Sequence, residues 1–404
     1  MTAISNQSNQ QYIGEVVRKH RDKISLTLAA LLLFSIIGRH TAVSSTIALS
    51  LISVVYLLTV TLLLFDTDIE IRAERIYLLL FLMLTIFMLA SMLYNITQES
   101  VIRFIVFAVF TSANLFILPQ IIDFEDFVVV FGRVTALLVV IGFLPYLGLP
   151  TAAGPFDLTL WGGKLYWYPA LQPITSIFVA VNWLGFLTLS GSIFALGEWW
   201  MFKSNVSKVI LGVNTLGLLF TNYRAGWVGF LVAVGILFIY VLFDREGVKL
   251  AILGGIIATI VALAMMFEII PGPAVLSELS LNHRRGSWIA AAQILQEQPF
   301  LGYGFGNTAA VLSGVVPPGS PANVHNSYIR AFLALGLGGG LTYLGLFLAT
   351  LLKGASRVTT KSDMILLMGL LSYLVVQLFN SLSFIGLSLH SVIIAIMMGY
   401  QVME

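Results

Sequence analysis

The sequence contains no cysteine, and only 10% of its 404 residues are charged. The absence of cysteine excludes disulfide bonds, thiolate catalysis and Cys-ligated metal sites. A soluble domain carries about 25% charged residues, whereas 58% of this chain is hydrophobic. The low content of charged residues and the high content of hydrophobic residues together predict an integral membrane protein.

Long apolar segments fill most of the chain, and each approaches the roughly 20 residues that a bilayer crossing needs. They predict an all-α fold with about twelve transmembrane helices in one polytopic domain, residues 24–404. The predicted spans are 24–38, 42–65, 76–93, 104–122, 128–149, 173–198, 209–220, 227–243, 250–270, 327–352, 365–382 and 383–403.

The N-terminal segment 1–23 is polar, ends in a run of lysines and arginines, and shows no cleavable signal. The predicted loops on the same side hold most of the remaining cations, which favours cytoplasmic N- and C-termini. Nearly all cations of the outer side are arginines. Their planar guanidinium groups suit bidentate binding of phosphate better than lysine does, although arginines also snorkel at interfaces.

The first long outer segment, about 150–172, is rich in aromatic residues, namely Trp161, Tyr166, Trp167 and Tyr168. Such a cluster is typical of an aromatic belt at the headgroup level. It would equally provide a wall on which the apolar faces of sugar rings stack. The sequence leaves both interpretations open.

The second long outer segment, 271–326, is the longest polar interruption of the chain. Its cationic residues start at His283. The spacing over 285–297 predicts a short amphipathic helix at the outer surface, with Trp288 on its apolar stripe. Pro299 ends that helix, and Gly302, Gly304 and Gly306 predict a flexible turn.

Three arginines near these loops are candidates for binding a phosphate group. Arg224 lies in a short connection, 221–226, between two predicted helices. Arg284 and Arg285 are adjacent and need not face the same way. Of the two, Arg285 is favoured because Trp288, one turn later, would anchor its face of the helix. The alternative for each is a contact with phospholipid headgroups.

His325 directly precedes the predicted tenth helix, between Asn323 and Asn326. The partial positive charge of a helix N-terminus lowers the pKa of a histidine and keeps it neutral. A neutral imidazole is the form that a general base requires. The alternative is a helix-capping histidine without chemistry. His40, His283 and His390 are weaker candidates, and His390 is predicted to lie in the middle of its helix.

The glycines of the tenth helix, from Gly336 to Gly340, predict close packing against neighbouring helices. Carboxylates on the outer side are scarce and unclustered, so the sequence predicts neither a metal site nor another cofactor. Nothing in the sequence suggests a nucleic-acid partner. If the outer face handles a diphosphate, arginines would neutralise it in place of Mg²⁺.

Three motifs, spread over 221–340, resemble the O-antigen ligase and polymerase superfamily. His325-Asn326, nine residues and Gly336-x-x-Gly339 are similar to its histidine signature. Arg285-x-x-Trp288 and the run from Pro299 to Gly306 resemble the preceding segment. Tyr223-Arg224-Ala225-Gly226 is similar to its Ser-Arg-Gly helix-end motif, with Tyr and Ala substituted.

The resemblance implies a glycosyltransferase of the GT-C type in the bacterial inner membrane, with its active site on the periplasmic face. The donor would be an oligosaccharide on undecaprenyl diphosphate. Arg224 and Arg284 or Arg285 would match the arginines that hold the diphosphate, supported by Tyr223 and Trp288. His325, supported by Asn326, would match the base that deprotonates the acceptor hydroxyl. The reaction would be inverting and metal-independent.

The acceptor remains open. A ligase transfers the glycan to lipid A core, and a polymerase extends a second lipid-linked glycan. One dominant outer loop resembles the ligase layout, although Gly340 replaces the Thr or Val of ligase signatures. A twelve-helix transporter or flippase is the rival from another class. It would show broken helices, charges near the bilayer midplane and internal repeats.

Overall fold

The computed structural model describes residues 21–65, 73–149, 152–153, 156–266, 269–273, 284–316 and 321–403. His283 and most of the predicted N-terminal tail lie outside these residues. The described chain is a helical bundle with one antiparallel pair of two-residue strands, β1 (Ala152–Ala153) and β2 (Phe156–Asp157). The all-helical prediction is therefore confirmed in its essentials.

Fourteen α-helices are present in the described residues. They are α1 (Arg21–Gly38), α2 (Ser45–Phe65), α3 (Arg75–Tyr94), α4 (Gln98–Val106), α5 (Leu118–Ile121), α6 (Phe124–Phe143), α7 (Val181–Phe202), α8 (Asn205–Phe220), α9 (Arg224–Met266), α10 (Arg284–Glu297), α11 (Thr308–Ser313), α12 (Ser327–Arg357), α13 (Lys361–Phe379) and α14 (Leu389–Val402). Two π-helical segments, Phe107–Thr111 and Ala113–Ile117, join α4 to α5, and a 3₁₀ turn, Leu144–Leu147, follows α6.

Seven helical stretches in the described residues are long and apolar enough to cross a membrane. The longest, Arg224–Met265, contains a non-helical residue at Asp244, and each of its halves is about one crossing long. The prediction of a multi-pass membrane protein is confirmed. The count of twelve spans and the side of the membrane on which 271–326 lies stay predictions.

α12 is interrupted at Gly336, where the backbone turns to φ +70°. The carbonyls of Leu333 and Ala334, which lose their helical partners there, accept hydrogen bonds from the backbone N–H groups of Tyr303 (2.9 Å) and Gly304 (2.8 Å). The Leu337 N–H donates to Pro299 (2.7 Å). The segment 299–304 therefore satisfies the broken helix, as a low-dielectric setting requires.

Glycine is needed on both sides of this contact. A Cβ on Gly336 would lie 2.3 Å from the Phe300 carbonyl oxygen, and one on Gly302 would lie 2.6 Å from the Gly336 nitrogen. The flexible turn predicted around Gly302 and Gly304 is thus a fixed backbone wedge. The predicted close packing applies to Gly338, since a Cβ there would lie 2.4 Å from the Phe87 ring.

The end of the chain differs from prediction. The last two spans were predicted to adjoin at 382–383, but a nine-residue connection, 380–388, separates α13 from α14. Gly386 adopts φ +129° within it. His390 is therefore the second residue of α14, and the prediction that it lies mid-helix is wrong.

Candidate active site

His325 has a left-handed backbone, with φ +45°, immediately before α12. Its N–H donates to Asn323 Oδ1 (3.1 Å). The capping role belongs to Asn326, whose Oδ1 accepts from the N–H groups of Tyr328 (2.9 Å) and Ile329 (3.0 Å). The half-buried imidazole of His325 is thus not the helix cap, which leaves it free for chemistry.

The start of α12 is fixed against the end of α13. Asn326 Nδ2 donates to the Leu378 carbonyl (3.0 Å), and Ser327 Oγ lies within hydrogen-bond distance of the Asn380 (2.8 Å) and Leu382 (2.7 Å) carbonyls. These contacts hold the backbone around His325 in one conformation. A site that must keep one geometry benefits from such support.

Arg224 is the first residue of α9 and follows a tight turn in which Asn222 has φ +57°. Tyr223 is buried in this turn against α7, where a Cβ on Gly185 would lie 2.5 Å from the Tyr223 Cβ. The Arg224 guanidinium is exposed and stacks over the Tyr166 ring, 4.4 Å from its centroid. Buried Tyr223 therefore anchors the turn that presents Arg224.

α10 is present almost as predicted, and it is docked rather than lying freely on the surface. Trp288 is 3% exposed, and its indole N–H donates to the Val324 carbonyl, next to His325. Ser287 Oγ donates to the Pro321 carbonyl (2.7 Å). Trp288 thus positions both the helix that begins with Arg284 and the segment that ends with His325.

Electrostatic interactions join the three elements into one site. Burial, and then repulsion from Arg284, lower the pKa of His325 from its ordinary value of 6.5. Burial, and then repulsion from Arg224, lower the pKa of Arg284. Burial raises the pKa of Tyr223, and Arg284 opposes that rise. The structure therefore brings Arg224, Arg284, Tyr223 and His325 together, and His325 is neutral near pH 7.

Arg284 contacts or interacts with the other elements of the site, whereas the sequence favoured its neighbour Arg285. Arg284 Nη1 donates to the Phe379 carbonyl (2.7 Å), and the guanidinium interacts with Arg224 and His325. Arg285 is half-buried on the same helix turn. These contacts favour Arg284 over Arg285 as the second cation of the site, because the first residue of α10 points toward α13 and the start of α12.

No carboxylate within the described part of the chain forms an ion pair with Arg224 or Arg284. In that same part no group of three or more His, Asp or Glu side chains is placed to hold a metal ion. Two guanidinium groups can bind an anion of two charges. The neutral imidazole beside them can accept a proton from a nearby alcohol.

An apolar cavity of about 630 Å³ opens next to the site. It lies between α9, α12 and α13, and Asn326 and Trp288 form part of its wall. Its other walls are mostly aliphatic or aromatic, for example Ile252, Leu263, Phe332, Leu344 and Leu371. The cavity can hold a hydrocarbon chain attached to an anion bound at the arginines.

Sequence reasoning named His40 and His390 only as weaker candidates and did not place them with Arg330 in a second polar group near the start of α12. The rings of His40, Trp183 and His390 stack in series, with centroids 3.6 and 5.6 Å apart. Arg330, one turn after Asn326, lies over the Phe305 ring (5.8 Å). The sequence offered only the spacing of Arg330 from Asn326 as a signal, because the histidines come from opposite ends of the chain.

The candidate site lies within a region that matches a known family. Residues 209–344 match the model of a family described as O-antigen ligase. The match covers about a third of the 404 residues and includes Tyr223, Arg224, Arg284, Trp288 and His325. No curated protein matches the chain.

The match confirms the resemblance that the three sequence motifs indicated, and it covers the same part of the chain. The segment 209–344, which contains the candidate site, is thus similar to the O-antigen ligase family, and this similarity supports the O-antigen ligase and polymerase superfamily.

Proposed function

We propose that this protein transfers an oligosaccharide from undecaprenyl diphosphate to an acceptor hydroxyl, with lipid A core as the favoured acceptor. The family match supports a glycosyltransferase-like ligase or polymerase acting on lipid-linked glycans. The observation that carries the proposal is the pair of cations, Arg224 and Arg284, which no described carboxylate neutralises, beside a neutral His325.

In the proposed reaction, Arg224 and Arg284 bind the diphosphate and stabilise the charge that develops as it leaves. His325 accepts the proton of the acceptor hydroxyl while its oxygen attacks the anomeric carbon. Attack comes from the face opposite the bond to phosphate, so that bond breaks and the configuration inverts. The lipid diphosphate departs, and His325 returns its proton to water.

The apolar cavity supports a donor carried on a long lipid. Asn326 and Trp288 line its wall and also position the site. A polyprenyl chain could lie among α9, α12 and α13 while its diphosphate reaches Arg224 and Arg284. The cations supply the positive charge that the leaving group needs, so we propose a metal-independent reaction.

We also propose that the site faces the periplasm from the inner membrane, with cytoplasmic termini. The absence of cysteine makes this directly testable. A single cysteine replacing exposed Ser313, in α11, should react with a membrane-impermeant maleimide in intact spheroplasts. One replacing exposed Asn205, at the start of α8, should react only after lysis. The reverse pattern would overturn the proposed orientation.

A transporter remains the second candidate because α12 is interrupted, which is a feature of many transporters. The contacts made at this interruption, however, argue against transport. The backbone groups that lose their helical partners there form hydrogen bonds with the segment 299–304. Ser91 Oγ also donates to the Ala334 carbonyl (2.8 Å). These backbone groups are thus occupied by protein rather than directed at a substrate.

The deciding assay uses purified protein in lipid nanodiscs, a defined undecaprenyl-diphosphate glycan and EDTA. Lipid A core and a second lipid-linked glycan are offered in separate tubes. Glycosylated lipid A core supports a ligase, and a lengthened lipid-linked glycan supports a polymerase. If neither product forms while proteoliposomes move the glycan between leaflets, the transferase proposal is wrong.

A further inference from the structure

The aromatic segment 161–168 is a rigid part of the molecule that lies against the candidate site. Its chain folds back on itself, because the N–H of Trp161 donates to the Pro173 carbonyl (2.8 Å) and that of Leu165 to the Leu171 carbonyl (2.9 Å). It is therefore a built surface rather than a loose connection.

Asn222 attaches this segment to the turn that presents Arg224. Its Oδ1 accepts from the Tyr166 N–H (3.0 Å), and its Nδ2 donates to the Lys164 carbonyl (2.8 Å). Trp167 adds a hydrogen bond from its indole N–H to the Leu219 carbonyl (3.2 Å). These bonds fix the position of the aromatic rings relative to Arg224, whose guanidinium lies on the Tyr166 ring.

Four rings of this segment, those of Trp161, Tyr166, Trp167 and Tyr168, are between 41% and 61% exposed. Within the described residues, the hydroxyls of Tyr166 and Tyr168 make no hydrogen bond. The segment therefore offers ring faces and phenolic groups together.

A cavity of about 450 Å³ lies beside Gly163 and Lys164 of this segment, and its other walls include Tyr146, Pro169 and Gln172 rather than the four exposed rings. This volume falls in the range of small-ligand sites, about 300–1,000 Å³.

We propose that this surface, the 161–168 platform, binds the sugar residues of the donor that are nearest to its diphosphate. The proposal rests on the proposed function. A diphosphate at Arg224 places the first sugars of the glycan beside Tyr166, since the two side chains are stacked. The negative faces of aromatic rings attract the polarised C–H groups on the apolar face of a pyranose, while phenols and Lys164 bind its hydroxyls.

The rival occupant is the lipid headgroup layer, as in an aromatic belt. A belt requires rings at one depth but no fixed position relative to a particular arginine. Here the polar bonds of Asn222 and the stack on Arg224 set that position. The geometry therefore favours a glycan over headgroups.

The test compares two ligands in nanodiscs of constant composition: undecaprenyl diphosphate alone, and the lipid-linked glycan extracted from native cells that lack this chain. The full-length wild type should bind the glycosylated lipid about tenfold more tightly. In the variant Trp161→Ala/Tyr168→Ala, that ratio should fall to about one while the affinity for the bare lipid stays unchanged.

Two further variants control for folding and for interfacial anchoring. Trp161→Phe/Tyr168→Phe keeps the rings and should retain most of the preference for the glycan. Phe202→Ala removes a similarly exposed ring at the C-terminal end of α7, whereas the platform precedes the N-terminal end of that helix. This variant should behave as wild type.

The inference is overturned if the alanine variant keeps the ratio, if both affinities fall equally, or if the phenylalanine variant loses as much as the alanine variant. A wild type that transfers the glycan but shows no preference for it would overturn the platform and leave the proposed function standing. Absence of both transfer and binding would overturn the proposed function itself.

Discussion

Two groups of cations near opposite ends of α12 have different partners. At the far end of α12, Lys353 and Arg357 share the carboxylate of Glu74, at 2.8 and 2.7 Å, and Lys353 is nearly buried. At the near end, Arg224 and Arg284 have no carboxylate partner among the described residues. α12 has 31 residues and is interrupted at Gly336, so its two ends lie at most roughly 45 Å apart.

This difference separates structural charges from functional ones. In an ion pair such as Glu74 with Lys353, each charge neutralises the other, and removing one partner would leave a buried charge unpaired. Cations that stand together without counter-ions repel each other, and burial lowers the pKa of Arg284 further. Among the described residues, Arg224 and Arg284 form this arrangement beside His325, which is the behaviour expected of a site that binds an anion.

The largest effect should come from His325. Replacement by glycine removes the imidazole yet suits the left-handed backbone, so lost activity cannot reflect strain. We expect His325→Gly to lose transfer by roughly 10²–10⁴-fold, the usual contribution of general base catalysis. Added imidazole should restore part of it. Activity close to wild type in the glycine variant would refute the role of His325 as base.

The arginines should come next. Arg224→Gln and Arg284→Gln should each lower kcat/KM for the lipid-linked donor by roughly 10²–10³-fold, since each removes a charged donor from the leaving group. Arg224→Lys should recover only part, because its single ammonium cannot bind in the bidentate manner. Steady-state kinetics with a purified donor measure both effects. Full activity of Arg224→Lys would argue against a bidentate contact.

The ion pairs of Glu74 with Lys353 and Arg357 supply the matched control. Glu74→Gln should lower the free energy of unfolding by about 1–2 kcal/mol, because it leaves the nearly buried Lys353 without its counter-ion. Transfer per folded molecule should stay unchanged. Thermal unfolding and active-site titration separate the two quantities. A fall in donor affinity here would show that the two ends do not differ in the way proposed.

The smallest effect concerns pH. His325 must be neutral to act as a base, so kcat/KM should fall as the pH drops through its pKa, which lies below the ordinary 6.5. The positive charge of Arg284 contributes to that lowering. Arg284→Gln should therefore raise the pKa and move the acidic limb to higher pH. An unshifted or oppositely shifted limb would contradict the placement of Arg284 beside His325.

The sequence predicted the membrane fold, the helix α10 within one residue, and the residues that the structure gathers at one end. Those features depend on local composition and spacing. The interruption at Gly336 could not be predicted, since it depends on Phe300 and Gly302, more than 30 positions earlier, reaching the helix. Glycines occur both where helices pack closely and where a helix is interrupted, so the glycines alone do not distinguish the two structures.

The choice between Arg284 and Arg285 depends on similar long-range contacts. Trp288 anchors its helix beneath the segment before His325, as the sequence indicated, but the contact of Arg284 with the Phe379 carbonyl joins residues 95 positions apart. The position of His390 depended on where α14 begins, and the apolar residues of 380–388 hid that boundary. Each difference arises from contacts between distant parts of the chain.

The affinity for undecaprenyl diphosphate tests the central claim most directly. It should be measured in nanodiscs for wild type, Arg224→Gln/Arg284→Gln and Glu74→Gln. The account predicts at least about hundredfold weaker binding in the double arginine variant, from the loss of two charge-assisted contacts, and wild-type binding in Glu74→Gln. Equal affinity of all three proteins would contradict it.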